Sequence, residues 1–451
     1  MQAKQVGRVV IMALGILAAV QAGASQRRVT TGEVFHLDAV LARPDFWSLP
    51  VEELGHAVGP GGFSWLDTQK SAMRGGERIK LGFLNQDVWE AQIQLASNQA
   101  VRVDLSLYNH GDAGDLSPAA FGSLLGKAQA ALSNWTGVAG TVLPDQPGAM
   151  RSKVQRMIWQ KPPTRLELEW SVTKQQIVKG TKVDYRAEFI RLKLLPAGGS
   201  NAAPARIAAP AAVKPGRTAA ELKTHVRTEE NGDVFIANVP MVDQGDKGYC
   251  AAAVTARIMR YFGLDFDEHQ AAQAAGTKSK GGTSSGSLID GLKQIALKNS
   301  LRVVVLDQIE IQRLVTDYNR AANTAKKTKV TLGTGHVIDV DKIYGDMDGE
   351  VLRAVRTKRK DEVNHFKTEI VKNVETGIPL IWGVYLGLVK EPFLTPQTKG
   401  GHMRMIIGLN KKTDEVLYSD TWGAGHELKR MSLEDALTIT RGLYIVKPNN
   451  L

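Results

Sequence analysis

Apolar and polar residues alternate in "AVRVDLSLY", residues 100–108, where Val101, Val103, Leu105 and Leu107 face one way and their polar neighbours the other. A period of two predicts a half-buried β-strand. "RLELEWSV" (165–172) repeats it with Leu166, Leu168, Trp170 and Val172, and "DYRAEFIRLKLL" (184–195) predicts a third strand. Between the first two, Ser117 and Pro118 supply an N-cap and a first helical residue for a helix running to about Leu132. The pattern predicts an α+β unit over 30–195, in which no His, Cys or carboxylate cluster stands out and no internal repeat occurs.

The pattern then lapses. Residues 196–217 begin "PAGGSNAAPARIAAPAAVK", a run of Ala, Pro and Gly that cannot bury a core and reads as a linker. Periodicity resumes over 218–451, which mixes helices and strands. "DVFIANVP" predicts a strand, a helical and basic middle follows from about Ser287 to Val374, and "IPLIWGVYLGLV", "HMRMIIGLN", "EVLYSDTWG" and "GLYIVK" predict closing strands.

One more apolar run changes the setting of the whole chain. Lys4 and Arg8 precede the run Val9–Val20, and Ala22-Gly23-Ala24 closes it. That is the layout of a secretory signal peptide, 1–24, too short to span a membrane as a helix. A periplasmic or extracellular location is expected, with no transmembrane segment in the mature protein. The net charge of +11 becomes +9 once Lys4 and Arg8 leave. An anionic envelope surface is therefore a candidate partner. The short basic clusters "AKKTK" and "RTKRK" lack aromatic interleaving, so nucleic acid is not expected. Acids near His336, in "GHVIDVD" and "GDMDGE", fit neither an EF-hand loop nor a zinc motif, and "GGTSSGS" lacks a phosphate-loop ending. No metal and no cofactor are expected.

Export makes the cysteine count informative. Cys250 is the only cysteine in 451 residues, so no internal disulfide can form. It follows the Gly-broken loop "QGDKGY" and opens a segment in which Ala251, Val254, Ile258 and Phe262 recur at helical spacing before Gly263. A thiol at a helix N-terminus is favoured as thiolate by the macrodipole. A thiolate nucleophile needs an acid/base, an orienting acceptor for that base, and donors for the oxyanion. Of nine histidines, His402 stands at the start of an apolar strand. Asp420 ends the next strand, where a hairpin brings it beside His402. His336, His365 and His426 are the alternatives. Gln244, six residues before Cys250, can aim its amide at the same oxyanion as the Cys250 N–H.

These segments resemble the papain-like cysteine peptidases. "QGDKGYC" is similar to the family's Gln-Gly-x-x-Gly-x-Cys loop, "HMRMIIG" to its His at a strand start, and "DTWG" to its Asn-Ser-Trp-Gly with Asp420 in the Asn place. The Asp is the choice of the bacteriocin-processing (double-glycine leader) branch. The resemblance covers about 238–446 and implies a Cys-bearing helix packed on an antiparallel sheet bearing His and Asp. It implies Cys250 as nucleophile, His402 as acid/base, Asp420 as its orienter, Gln244 as oxyanion donor, and Trp422 as a shield over the His–Asp pair. Tyr249 departs from the small residue or Asp usual before the nucleophile, and Ala251 from the Trp or Gly usual after it. No ATP-binding transporter segment follows, so transporter-coupled leader processing is not expected.

Three functions follow: a peptidase acting on a peptide or protein substrate, an envelope transamidase or amidase using the same triad, and an inactive peptide-binding protein. The N-terminal unit reads as a binding module, an anchor or an inhibitory pro-segment. The sequence does not set the oligomeric state.

Overall fold

The structure, a computed structural model, describes residues 33–147, 153–178, 181–197, 218–245, 249–264, 266, 268–275, 285–333, 338–391 and 399–451. The signal-peptide pattern, the segment 196–217 beyond its first two residues, His336 and most of the Gly-rich run 281–287 lie outside the described residues.

Alternation builds the N-terminal sheet. The three expected strands lie within Gln99–Asn109, Thr164–Val178 and Thr181–Pro196. The last two pair antiparallel from Thr164↔Pro196 to Val178↔Thr181, and Gln99–Asn109 takes the other edge of Thr181–Pro196. They sit at the centre of eight strands, in the order 64–65, 72–75, 90–96, 99–109, 181–196, 164–178, 153–161, 141–147. Leu105, Leu166, Leu168, Ile190 and Leu192 are buried in one core with Phe121, Ala128 and Leu132 of helix Pro118–Thr136. The Ser117 hydroxyl accepts from the Ala120 N–H and caps that helix. It runs past the expected Leu132 because Trp135 packs on the same core.

The C-terminal part is organised around strand Gly400–Asn410. One edge of that strand pairs with Leu380–Leu386 and then with Asp233–Ile236; the other pairs with Glu415–Ser419 only from Met405 onward. The sheet order is 226–228, 233–236, 400–410, 380–386, 440–448, 301–308, with 415–419 and 429–432 branching from 400–410. Its neighbouring strands are all antiparallel. Helices Cys250–Tyr261 and Lys360–Glu375 contribute to its core, through Val254, Ile258, Phe366 and Ile370. The chain is α+β, with largely antiparallel sheets.

Two expectations are corrected. The helical middle, 287–374, is interrupted by strand Leu301–Gln308, which pairs with Thr440–Pro448. Its run Val303–Val305 is β-branched, and such side chains lose rotamer freedom in a helix. The strand expected over 233–240 stops at Ile236, because Asn238 turns to φ +61° and Pro240 has no N–H to donate.

The basic clusters are engaged locally. Lys327 pairs with Asp348 at 2.9 Å and Arg359 with Asp317 at 2.6 Å, while Arg356 is buried and donates to the Leu437 carbonyl. The acids of the 335–350 region serve the fold as well. Asp339 caps helix Val340–Gly345, Asp348 caps Gly349–Lys358, and Asp341 pairs with Arg441.

Candidate active site

Cys250 is the first residue of helix Cys250–Tyr261, half-buried, with Tyr249 at the N-cap. The helix turns Ala251, Val254 and Ile258 into the core, and Phe262 is buried just past its end, before Gly263 at φ +79°. This apolar stripe pins the helix, so its N-terminus presents Cys250 at a fixed place. Ahead of it, the Gln244 N–H donates to the Thr421 carbonyl at 2.8 Å. The Thr421 hydroxyl donates to Gln244 Oε1 at 2.5 Å, which orients the amide with its oxygen toward Thr421. The loop before Cys250 is thus tied to the residue after Asp420.

The register Met405↔Ser419 places Asp420 beside the early part of strand Gly400–Asn410. His402 Nε2 donates to Asp420 Oδ1 at 2.6 Å, and Oδ1 also accepts from the Thr421 N–H at 3.0 Å. The Cys250 thiol is near enough to the His402 ring to raise its pKa. Trp422 stacks on the imidazole, ring centroids 4.5 Å apart and planes 10° off parallel. Burial opposes a charged ring, but the Asp420 charge and hydrogen bond, with Cys250 behind them, outweigh it, raising His402 to about 9.

Of the alternative histidines, His426 meets Trp422 edge-on and reaches Asp420 through the backbone alone, its carbonyl accepting the Asp420 N–H at 2.9 Å. Burial first, then Lys429, holds its ring below the ordinary range. His365 lies in a groove between helices, beside Arg359 and Glu362.

The sequence reading missed the charges beneath Asp420. Arg404, two residues after His402 and on the same strand face, is fully buried. Its Nε lies 2.8 Å from Asp420 Oδ2 and its Nη1 2.8 Å from Glu391. These contacts are oblique, so they act as ion pairs rather than directed hydrogen bonds. Lys429 stands 3.6 Å from the same Oδ2. Burial alone would raise the Asp420 carboxyl, but Arg404, His402 and Lys429 hold it far below the usual carboxylate range. Arg257, on the Cys250 helix, is 1% exposed. It donates to the Pro240 carbonyl at 2.7 Å, the Asp420 carbonyl at 2.7 Å and the Ser419 hydroxyl at 2.6 Å. One guanidinium therefore ties the helix, the approach to the Gln244 loop and the Asp420 strand end together. An arginine inside the apolar run "HMRMIIG" or the stripe "AVTARIM" was the available signal, since a buried charge must find partners.

A half-buried thiol at a helix start, an imidazole hydrogen-bonded to a buried carboxylate and an amide oriented by Thr421 are parts suited to nucleophilic acyl chemistry. No curated protein matches the chain. The crystal structure of xylellain, a cysteine protease from Xylella fastidiosa, is 10% identical over 50% of this chain and 88% of that one, with a TM-score of 0.25. Residues 297–439, which contain His402 and Asp420 and begin after Cys250, match the model of the Peptidase_C39 like family. Over these residues the C-terminal part of the chain is similar to that family.

Proposed function

We propose that the chain is an exported peptidase in which Cys250 attacks the carbonyl carbon of a peptide bond. The observation that carries this is the His402 ring, hydrogen-bonded to Asp420 and stacked on Trp422, with its pKa raised in part by the nearby Cys250 thiol. His402 takes the thiol proton and, raised to about 9, holds it at neutral pH for the leaving amine. Attack forms a C–S bond and an oxyanion, which the Gln244 amide and the Cys250 N–H receive. His402 gives its proton to the leaving amine as the C–N bond breaks, leaving an acyl-thioester. A water deprotonated by His402 then releases the acid and restores the thiol. Asp420 fixes the ring, and Trp422 keeps water from their hydrogen bond. Export rests on the charge and apolar pattern of residues 1–24.

The test is cleavage of a fluorogenic peptide library by the full chain, with and without iodoacetamide. Cleavage abolished by alkylation supports the reading; cleavage that survives complete alkylation of Cys250 overturns it.

The pH dependence has a defined sign. Because His402 is raised to about 9, peptidase kcat/KM is expected to fall as pH rises through about 9, where the imidazolium is lost. The same group contributes stability that is full below its ordinary pKa, ~6.5, and lost as pH rises through about 9. Asp420, held low, works oppositely: its contribution is present above the ordinary carboxylate range and lost as pH falls. A rate profile flat from pH 8 to 10 would contradict the first of these.

A further inference from the structure

The seam between the N-terminal and C-terminal parts lies against both ends of the segment that carries Gln244 and leads to Cys250. Arg74, on strand Ala72–Gly75, is 4% exposed. Its Nη2 donates to Glu90 at 2.8 Å, and its Nη1 donates across the seam to the carbonyl of Asp243, the residue before Gln244, at 3.1 Å. The Asp243 carboxylate lies 3.8 Å from that nitrogen and accepts the Gly245 N–H at 2.9 Å. Burial opposes the Arg74 charge, but Glu90, Glu77, Asp243 and Glu268 outweigh it and keep the guanidinium protonated. Gly245 has φ +62°, and a Cβ there would stand 2.5 Å from Arg74 Nη2 and 2.6 Å from Glu77 Oε1. Only glycine both adopts this turn and admits the arginine.

The other end of the segment is held in the same way. Tyr249, 2% exposed, donates its hydroxyl to Asn109 Oδ1 at 3.1 Å. Asn109 also meets His269 and accepts the Gly111 N–H at 2.7 Å. A Cβ on Gly111 would fall 1.3 Å from the tyrosine hydroxyl, so the N-terminal backbone is shaped to receive that ring. This accounts for a bulky residue just before the nucleophile. Beyond Trp422, Glu427 accepts the Thr68 N–H at 2.7 Å, bracing that loop from the same side.

Glu90, Glu268 and His269 also meet in the seam, with ligand atoms within 4.8 Å of one another. Gln92 Nε2, however, donates to one oxygen of each carboxylate, at 2.7 Å and 3.0 Å, and Arg74 takes the second oxygen of Glu90. Three of the four carboxylate oxygens are thus hydrogen-bonded, and Arg260 pairs with the fourth, Glu268 Oε2, at 3.6 Å, so the group serves as a clasp between the two parts.

We infer that the N-terminal part completes the peptidase site: Arg74 and Asn109 are positioning residues that fix the two ends of segment 243–249, and so aim the Gln244 amide and the Cys250 N–H at the oxyanion. This rests on the peptidase reading above. It assigns the N-terminal part a role opposite to that of an inhibitory pro-segment, because loosening its grip lowers activity instead of releasing it.

The experiment compares full-length wild type with Arg74→Gln, Arg74→Lys and Tyr249→Phe. For each, kcat and KM on a cleaved peptide are measured beside the pH profile of Cys250 alkylation. Alkylation needs the Cys–His pair but no oxyanion donors, so it separates aim from overall damage. Arg74→Gln is expected to lower kcat by about 10–100-fold with KM within ~2-fold, since misplacing catalytic groups by about 1 Å costs on the order of 100-fold. The alkylation profile is expected to stay put. Arg74→Lys, which keeps the charge, recovers part of the loss, and Tyr249→Phe, which deletes one hydroxyl, loses ~3–10-fold. An unchanged or raised kcat in Arg74→Gln, or a fall matched by lost thiolate reactivity, overturns the inference while the peptidase reading stands. A wild type that cleaves no peptide overturns both.

Discussion

Replacing Cys250 with alanine is expected to abolish peptide hydrolysis, a loss on the order of 10⁴–10⁶ in kcat. The size follows from chemistry: without sulfur there is no acyl-thioester, and what remains is water attack helped by oxyanion donors. No other thiol can stand in, because the chain has one cysteine. The fold is expected to survive. Cys250 opens a helix, its side chain is only half-buried, and alanine is a strong helix former. The check is a progress curve with the best-cleaved peptide beside a thermal melt. Inactivity with an unchanged melt assigns the loss to chemistry; activity within tenfold of wild type would contradict a nucleophilic role.

The largest effect on stability is expected at Arg257. Methionine there fills similar volume but removes donors from the Pro240 and Asp420 carbonyls and the Ser419 hydroxyl, of which Asp420 and Ser419 are fully buried. Burial lowers Arg257 to about 10, with Asp420 opposing, so it is charged at neutral pH. Leaving buried acceptors without donors costs about 1–3 kcal/mol each, and breaking a buried charged network about 3–5 kcal/mol in total. Arg257→Met is therefore expected to lower Tm by roughly 10 °C. Its kcat is expected to fall even in the cold, since this residue joins the Cys250 helix to the Asp420 strand end. A Tm within ~2 °C of wild type would show that the three bonds contribute little.

Strands whose two faces differ were legible in the sequence: Val101, Val103, Leu105 and Leu107 announce Gln99–Asn109 without help from any neighbour. The Cys250 helix was legible for the same reason, its stripe being long and its stop a glycine. The strands at 64–65, 72–75, 80–83 and 86–88 were not. They are two to four residues each, too short for periodicity to show, and their pairing is set by tertiary contacts. In the site, Cys250, His402 and Asp420 carried recognisable neighbours, and the structure brings them together. Arg404 and Arg257 did not, because a buried arginine looks like any surface arginine until its partners are known. Arg74 lies 169 residues from Asp243, and nothing local to either residue points to the other.

The measurement that reaches the centre of this mechanism is the rate of Cys250 alkylation by iodoacetamide against pH, in the full-length protein and in His402→Ala. The wild type is expected to react fast well below pH 7, and the variant to follow an ordinary thiol with a pKa near ~8.5. Coincident profiles, both rising only near pH 8.5 or both slow throughout, would contradict a thiolate–imidazolium pair and with it the assignment of Cys250 as nucleophile.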